Sequence, residues 1–527
     1  MTNTLKRTLS LLVALSMLTG LVAACGRATE GPSAGGAPSA GGREVIAFTW
    51  QGAEYGPIGE GEEATVVRYM EERFDIKVTP VYIEAATRVE QLSLLFASNE
   101  EPDVLPGFAL TQYREWARQG LLAKISEEFI REKAPAIAAD LDYWQGQTGE
   151  NCFEIAKVDG VAYGIPFVSV DPTYPGPVIW RDDWLTNVGI NGIPKTLDEF
   201  EDAFYKFAND DPDGNGQKDT YALSNTGLNA IFGTIGFHYL YWILKDGEIA
   251  FGGVQPEVRE ILALLAKWYK DGVLDPEYVT GENTGGYWAL SHAFVNGRIG
   301  YSGMGSFYHW NPPLFEGQSP STNYDGFTGL QPDGSYVFGA PPVNNGKSGM
   351  PVSSVCSLVT PVSSRLEKDS AKFDRYMEIQ NAIADDYDLY VLVKNGFEGV
   401  QWNYNEAGLI TPISDLAIQL VGYTIGAQNT FCKYQNMQFF KAMAPLNYQF
   451  ADDTVGKYEK KYLNAVTAPL PSAPDYWTDL ETQRAQTYTD IITGVSDISA
   501  FDTMVANWFK NGGEQLTKEA NDVYFGR

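Results

Sequence analysis

The sequence predicts an α/β protein with a mostly parallel sheet and more than one lobe. Between residues 44 and 108, strand-like and helix-like segments alternate in the order β-α-β-α-β, which is typical of parallel strands covered by helices on both faces. The chain has 527 residues, and single hydrophobic cores rarely grow beyond about 250 to 300 residues. Two lobes or more are therefore expected.

Each of these first elements has its own pattern of apolar residues. Apolar runs predict buried strands over 44–50, 75–83 and 102–108, and helical spacing predicts helices over 62–74 and 88–100. The inward face of the first helix is predicted to consist of Val66, Val67, Met70 and Phe74.

The ends of two predicted strands are candidates for a ligand surface. Ligands of parallel sheets bind beyond the carboxyl ends of the strands. Trp50 and Gln51 end the first strand, and Phe108 ends the third. We therefore predict that these three residues contact a ligand; ordinary packing in the core or in a loop is the alternative for each.

The N-terminal segment predicts export and a lipid anchor. Two basic residues, a short apolar run and the segment LVAAC come first, as in a secretory signal with a cleavage site. Because LVAAC resembles a bacterial lipobox, residues 1–24 are predicted to be a signal peptide and Cys25 to be the lipidated first residue of the mature protein. The alternative is an ordinary signal peptide with an incidental cysteine.

Residues 25–43 are predicted to be the lipidated cysteine and a flexible tether. Residues 26–42 are nearly all Gly, Ala, Ser and Pro, which cannot pack a core and would span about 20 to 25 Å on average. No second apolar run reaches membrane-spanning length. We therefore expect a folded body that is held at the extracytoplasmic face of the cell membrane by its lipid alone.

Charge and cysteine content limit the partners and the covalent bonds. The formal net charge is −29 and no basic tract interrupts the acidic chain, so binding to nucleic acid is not expected. Beyond Cys25 the cysteines are Cys152, Cys356 and Cys432, an odd number without metal-like spacing. At most one internal disulfide can form among them, and the sequence leaves its pairing open.

The chain does not contain the common catalytic motifs. His238, His292 and His309 form no H-E-x-x-H pattern, and no G-x-S-x-G turn occurs. The segment PPVNNGKS partly resembles a phosphate-binding loop, but Pro341 occupies the position of the first glycine of that motif. The sequence therefore predicts no enzyme, although a carboxylate pair of a glycoside hydrolase cannot be recognised from sequence spacing and stays open.

An acidic loop has the spacing of a calcium loop. The segment DPDGNGQKDTYAL, residues 211–223, has oxygen-bearing side chains at alternate positions and a glycine at the sixth, like the first nine positions of an EF-hand loop. The twelfth position, usually a bidentate Glu, is Ala222. An Asx-rich turn without an ion is the alternative. The predicted Ca²⁺ ligands are Asp211, Asp213, Asn215, Gln217 and Asp219.

Four segments together resemble one protein family. VDGVAYGIPF (158–167), the long stretch 178–223, WYKDGVLDPE (268–277) and FVNGRIGYS (294–302) are similar, in this order, to segments of the extracellular solute-binding proteins of ABC sugar importers. Within that family the resemblance is to the large lipoproteins of the LplA type, relatives of alginate-binding proteins. The stretch 178–223 is the most distinctive part of the resemblance.

The resemblance implies a two-lobed periplasmic-binding-protein fold of type II, in which hinged α/β lobes close around a ligand in a central cleft. The first lobe would comprise residues 44–168 and 298–365, and the second, larger lobe residues 169–297 and 366–527. The protein would be a monomer that captures an oligosaccharide and delivers it to ABC permease subunits. A surface-tethered glycoside hydrolase, or the same fold with a peptide or polyol ligand, is the alternative.

The resemblance also bears on the two kinds of site. In relatives a Glu often follows the last Asp of the calcium loop, but Thr220 stands there in this chain, so we expect weak Ca²⁺ binding, with a Kd on the order of 10⁻⁴ M. Trp288, Trp310 and Trp402 lie in Gly- and Asn-rich surroundings that predict loops. We predict that these rings stack on sugar; a place in the core is the alternative for each.

Overall fold

The computed structural model describes residues 43–52, 56–107, 109–282, 289–413, 418–468 and 470–526. The predicted signal peptide, Cys25, Phe108 and Trp288 lie outside the described residues, so their predicted roles stay predictions. None of the described helices is long and apolar enough to cross a bilayer.

Short strands are distributed along the described chain. The strands are β1 (Ile46–Gln51), β2 (Ile76–Val81), β3 (Lys157–Val158), β4 (Val161–Ala162), β5 (Gly164–Val168), β6 (Ile179–Arg181), β7 (Tyr221–Leu223), β8 (Trp242–Lys245), β9 (Glu248–Phe251), β10 (Ile299–Ser302), β11 (Tyr336–Phe338), β12 (Met350–Pro351), β13 (Cys356–Pro361), β14 (Trp402–Tyr404), β15 (Ile410–Pro412) and β16 (Lys461–Tyr462).

Helices surround these strands. The helices are α1 (Thr65–Phe74), α2 (Arg88–Ser98), α3 (Leu110–Arg118), α4 (Glu127–Lys133), α5 (Pro135–Thr148), α6 (Asp182–Asn187), α7 (Leu197–Asn209), α8 (Leu228–Phe232), α9 (Pro256–Lys270), α10 (His292–Val295), α11 (Thr322–Leu330), α12 (Ser370–Asp385), α13 (Tyr387–Asn395), α14 (Ile418–Ile425), α15 (Met437–Met443), α16 (Pro445–Asp453), α17 (Ala473–Ile492), α18 (Ser499–Trp508) and α19 (Glu514–Phe525).

The first lobe is built on the parallel strands β1 and β2. Ile46 pairs with Ile76 at one end of the ladder, and Trp50 forms a parallel bridge with Val104 in the segment predicted as the third strand. The first two predicted strands and both predicted helices are therefore confirmed, whereas the third predicted strand, 102–108, is reduced to bridges at Val104. The predicted inward face of α1 is also buried, and its residues are Val66, Val67, Met70 and Phe74.

The second lobe is built on a four-stranded sheet in the order β11-β6-β10-β7. Helix α7 covers this sheet and begins with a capping box, in which Thr196 Oγ1 accepts from the Glu199 amide and the Glu199 carboxylate accepts from the Thr196 amide. Its apolar face packs around Trp180 of β6. The rings on that face are Phe200, Phe204 and Phe207.

The C-terminal helices cover another part of the second lobe. Trp508 of α18 stacks on Phe251 of β9 with ring centroids 5.5 Å apart. The Asn521 side chain of α19 bonds both the amide and the carbonyl of Ile249. These contacts attach α17 to α19 to the β8–β9 hairpin and extend the core of the second lobe.

An antiparallel strand pair connects the two lobes. Strand β5 leads out of the first lobe and β13 returns to it, with Val359 opposite Pro166. After β13 the chain rejoins the first sheet, where Val362 bridges Val104. Helix α12 then packs against α4 and α5. We call β5 and β13 the hinge strands.

The predicted lobe limits differ from the observed pairing in two places. Residues 298–365 are predicted to lie in the first lobe, but β10 lies in the second-lobe sheet, where Tyr301 pairs with Trp180. Residues 366–527 are predicted to lie in the second lobe, but Tyr376 of α12 contacts Trp50 of the first. The chain returns to the first lobe only at β13. The sequence does not predict this limit, because the apolar pattern of a strand does not indicate which sheet the strand joins.

The structure also shows which cysteines form a disulfide. Cys152 and Cys356 form a disulfide with a Cα–Cα distance of 5.4 Å, so the turn after α5 is joined to the first residue of β13. Cys432 is buried and free, and its thiol donates to the Tyr434 carbonyl at 3.1 Å.

Candidate functional site

A cavity of about 390 Å³ lies beside the hinge strands, at the carboxyl ends of the first-lobe strands. We call it the hinge cavity. This is the edge at which parallel sheets bind ligands, and the volume is in the usual range of small-molecule sites. Its lining includes Arg88, Gly107, Ala109, Phe167, Leu358, Asn429, Lys433 and Gln435.

Gln51 is bonded to Lys433, a lysine that lines this cavity. Lys433 Nζ donates to Gln51 Oε1 at 2.7 Å and to the Gln51 carbonyl at 3.1 Å. The Lys433 carbonyl in turn accepts from Thr360 Oγ1 of β13 at 2.8 Å. Gln51 is 1% exposed, and its Nε2 has no hydrogen-bond partner within the described part of the chain.

A second lysine lies behind the cavity wall. Lys394 Nζ donates to Asn429 Oδ1 at 2.9 Å and to Gln435 Oε1 at 3.2 Å, and the Lys394 carbonyl accepts from Gln428. Burial lowers the pKa of Lys394 below its usual value. The two amide side chains that line the cavity are therefore oriented by an ammonium group behind them.

The predicted tryptophans that the structure describes are buried. Trp50 donates its ring N–H to the Thr430 carbonyl at 2.6 Å, and Trp310 donates to the Met304 carbonyl at 2.7 Å. Trp402 is 4% exposed and donates to a backbone carbonyl as well. Since these rings present no open face in this conformation, the geometry does not support them as sugar platforms, and that role stays a prediction.

An aromatic cavity of about 430 Å³ lies near α15 and α16. Its rings include Tyr308 and Phe440, which are half-buried, and Tyr448, whose hydroxyl donates to Asp171 Oδ1 at 2.7 Å. Burial raises the pKa of Asp171. The other lining groups include Phe307, Asn311, Gln318 and Asn447. Flat rings beside amides and a carboxyl can pack on and hydrogen-bond a polyhydroxylated ligand.

A third cavity of about 510 Å³ receives side chains from both lobes, and we call it the interlobe cavity. Leu110 and Arg114 of α3 line it from the first lobe, and Tyr241 and Asn464 line it from the second. It adjoins the hinge cavity, because the consecutive residues Ala109 and Leu110 line one cavity each. Burial lowers the pKa of Arg114.

The predicted calcium loop is closed by its own hydrogen bonds. Asn215 Nδ2 donates to Asp213 Oδ2 at 2.8 Å and to both Asp219 oxygens at 3.3 Å, while the Gln217 amide donates to Asn215 Oδ1. Asp211 Oδ1 is buried and has no partner in the described chain. Burial, with the nearby Asp211 and Asp219 carboxylates, raises the pKa of Asp213.

The oxygen-bearing side chains of this loop are suitable ligands for a cation such as Ca²⁺, but its carboxylates alone do not form a ligand set. Among the described residues, no group of three His, Cys, Asp or Glu side chains is placed to hold a metal ion. Asn215 would have to turn its amide oxygen inward, and amide or backbone oxygens would have to complete the ligand set. The unpaired oxygen of Asp211 favours this arrangement.

Sequence reasoning missed most of the groups around these cavities. Lys433 follows Gln51 by 382 positions, so no local pattern links them. The polar run QNTFCKYQN before α15 was the available signal for Asn429, Lys433 and Gln435. The segment FYHWNPP does reach the aromatic cavity, but through Phe307 and Tyr308 and not through its tryptophan.

Comparison with known proteins gives consistent matches. The model of the family described as bacterial extracellular solute-binding protein matches residues 55–347. Lipoprotein LipO of Bacillus subtilis is 21% identical over 85% of this chain and 86% of its own length. The polygalacturonan/rhamnogalacturonan-binding protein YtcQ of the same organism is 22% identical over 98% of both chains.

A solved structure has the same fold. The substrate-binding protein FusA of Streptococcus pneumoniae, in complex with kestose, superposes with a TM-score of 0.63, covering 92% of this chain and 99% of its own at 14% identity. At that identity the likeness shows the fold alone. The two-lobed arrangement predicted from the sequence is therefore confirmed.

Proposed function

The chain belongs to the family of bacterial extracellular solute-binding proteins, and on this premise we propose that it captures an oligosaccharide outside the cell and delivers it to the permease of an ABC importer. The observation that carries the choice of ligand is the aromatic cavity. Tyr308 and Phe440 offer ring faces there, and the C–H faces of sugars stack on such rings. Asn311 and Asn447 supply groups that both donate and accept, as sugar hydroxyls require.

The relatives support a carbohydrate ligand. YtcQ is named for binding polygalacturonan and rhamnogalacturonan, and FusA has been solved with the sugar kestose. The hinge cavity adjoins the hinge strands, and the interlobe cavity beside it receives side chains from both lobes, which is where a ligand would join the lobes. We propose that the protein acts by binding and release, as a monomer, without converting its ligand.

A thermal-shift screen tests this proposal. A ligand that binds only the folded protein stabilises it by about 2.7 kcal/mol at a concentration of 100 Kd, so an oligosaccharide that fits should raise the Tm. The screen compares neutral and acidic oligosaccharides with peptides and polyols. A shift by peptides or polyols alone would contradict the carbohydrate proposal, and release of sugar fragments from the bound ligand would establish the hydrolase instead.

We propose that Cys25 carries the lipid that holds the protein at the extracytoplasmic face of the cell membrane. The LVAAC segment supports this, as does the similarity to a protein named as a lipoprotein. Cys25→Ser should release the protein from the membrane fraction or leave its signal peptide uncleaved. Unchanged incorporation of labelled fatty acid into that variant would contradict the anchor.

We propose that Asp211, Asp213, Asn215, Gln217 and Asp219 hold a structural Ca²⁺. The chemistry that the ion would supply is neutralisation of clustered carboxylates. The loop begins two residues after α7 ends, at Asn209, and Thr220 Oγ1 donates to the Phe207 carbonyl beyond it. Order in the loop would therefore fix how α7 continues into β7.

A further inference from the structure

The wall of the hinge cavity presents hydrogen-bond donors. Asn429 and Gln435 line the cavity, and both of their side-chain oxygens accept from Lys394 Nζ behind the wall. An amide side chain has one oxygen acceptor and one NH₂ donor group. With the oxygens bonded to Lys394, the NH₂ groups are the ends best able to contact a ligand. In the described chain the NH₂ group of Gln435 donates to the weak acceptor Met437 Sδ, at 3.2 Å.

Gln51, at the end of β1, has a similar arrangement. Its Oε1 accepts from Lys433 Nζ, which leaves its Nε2 as a buried donor without a partner in the described chain. A buried donor that stays unpaired costs free energy. A ligand that contacts Lys433 in the cavity would lie near this buried donor.

The charges around the cavity have the sign opposite to that of the whole chain. Its lining contains Arg88 and Lys433, and no Asp or Glu is among the described lining residues, although the formal net charge is −29. Within the described chain Lys394 Nζ donates to neutral amide oxygens. A buried ammonium is stabilised most by a nearby negative charge, and an anionic ligand would supply one.

We propose that the hinge cavity binds the carboxylate of a uronic acid residue, so that the captured oligosaccharide is acidic. This inference rests on the proposed capture of an oligosaccharide. A carboxylate only accepts hydrogen bonds and can use every donor in the wall, whereas a sugar hydroxyl must also donate, and the amide oxygens there already accept from Lys394. Hydrogen bonds between ammonium or amide donors and a carboxylate are also stronger than neutral ones.

Matched ligands test the choice of charge. The probes are trigalacturonic acid and trimannuronic acid, their methyl esters, and the neutral trisaccharides maltotriose and kestose. Esterification removes the charge and keeps the sugar ring. We expect at least one acid to raise the Tm, and its ester to bind more than tenfold less tightly by calorimetry. Affinity for the acid should also fall as salt rises, because salt screens the charges.

A variant of equal size tests the cavity itself. Gln435→Glu places a carboxylate in the wall, where it would pair with Lys394 and repel an anion. We expect it to weaken binding of the acid more than tenfold, while binding of the ester changes less than threefold. The matched control is Gln486→Glu, the same change at an exposed position of α17, which should leave the affinity for the acid unchanged. Lys433→Met is the second variant should Gln435→Glu not fold, with the same expected loss.

The possible outcomes distinguish failure of the uronate proposal from failure of the proposed oligosaccharide capture. Binding of neutral trisaccharides without binding of either acid overturns the acidic ligand and leaves sugar capture standing. Failure of every carbohydrate in the screen contradicts both. If Gln435→Glu and Lys433→Met bind a uronate as tightly as the wild type does, the carboxylate of that ligand does not lie in the hinge cavity.

Discussion

Single rings near the cavities differ in how much of their surface a ligand could reach. Trp310 is fully buried and packs edge-on against Phe294 with ring centroids 5.2 Å apart. Tyr308, two residues earlier, is half-buried and lines the aromatic cavity. The same short segment therefore carries one ring for the core and one for a ligand.

Truncation of these two rings should have opposite effects. Trp310→Ala leaves a cavity in the core and is expected to lower the free energy of unfolding by about 3 to 5 kcal/mol, as measured by urea denaturation. Tyr308→Ala should change stability little but weaken binding of the captured sugar by about 2 kcal/mol, more than tenfold. If Trp310→Ala instead loses affinity and keeps its stability, Trp310 is the platform that the sequence predicts.

A buried histidine should make the protein sensitive to acid. Burial, helped by the Arg484 charge, lowers the pKa of His238 from 6.5 to about 4, and neither ring nitrogen has a partner in the described chain. Below pH 6.5 the imidazole binds a proton in the unfolded chain, whereas in the folded protein it stays neutral until about pH 4. Stability should therefore be complete above pH 6.5 and fall by about 3 kcal/mol as the pH decreases toward 4.

His238→Phe provides the comparison for that pH dependence. Urea denaturation of both proteins between pH 7 and pH 4.5 should show a shallower loss of stability in the variant, because only the unpaired imidazole has been removed. His309, whose pKa burial also lowers to about 4, keeps its own contribution in both proteins. Parallel curves for the two proteins would show that His238 does not cause the acid sensitivity.

Among the elements, those specified by local sequence could be predicted and those that depend on distant contacts could not. The buried face of α1 could be predicted, since all four of its residues lie within the 10 residues of one helix. The polar groups of the hinge cavity could not be predicted in this way, because Lys433 meets Gln51 only after the chain has crossed between the lobes twice. Burial of Trp310 likewise depends on packing against Phe294 and Tyr336. The residues next to Trp310 in the sequence do not indicate that packing.

The hinge strand β13 begins at a covalent link whose loss should be measurable. The Cys152–Cys356 disulfide joins residues separated by 204 positions, and closing a long loop restricts the unfolded chain. Cys152→Ser with Cys356→Ser, or reduction of the wild type, should lower the free energy of unfolding by about 2 to 4 kcal/mol. Cys432→Ser is the matched control and should be nearly neutral. Equal stability of the oxidised and reduced protein would show that the link does not stabilise the fold.

The loop between α7 and β7 should respond to removal of calcium. If Ca²⁺ neutralises the carboxylates of the loop, a chelator should lower the Tm of the wild type, and calcium should restore it. Asp213→Ala should abolish this sensitivity, whereas Asp202→Ala on the exposed face of α7 should keep it. Sugar affinity should change only as far as the second lobe loosens. A loop without metal in a calcium-soaked crystal would contradict the proposed site.

Across the whole molecule, the cavities connect the two lobes. The hinge strands run between the sheets, and the interlobe cavity is lined by Arg114 of the first lobe and by Asn464 of the second. A ligand that contacts both walls binds the closed arrangement better than the open one. A ligand with equal affinity for both arrangements would shift nothing, however tightly it bound.

Closure should therefore follow from binding of the captured sugar. Moving an open-to-closed ratio from 99:1 to 1:99 needs about 5.5 kcal/mol of differential affinity, which contacts on both lobes can supply. Small-angle scattering should show a smaller radius of gyration when the oligosaccharide that raises the Tm is added at saturation. A sugar that gives no thermal shift is the control and should leave the scattering unchanged. A particle of unchanged size in the presence of a ligand shown to bind would mean that the ligand contacts one lobe only, and that delivery to the permease does not depend on closure.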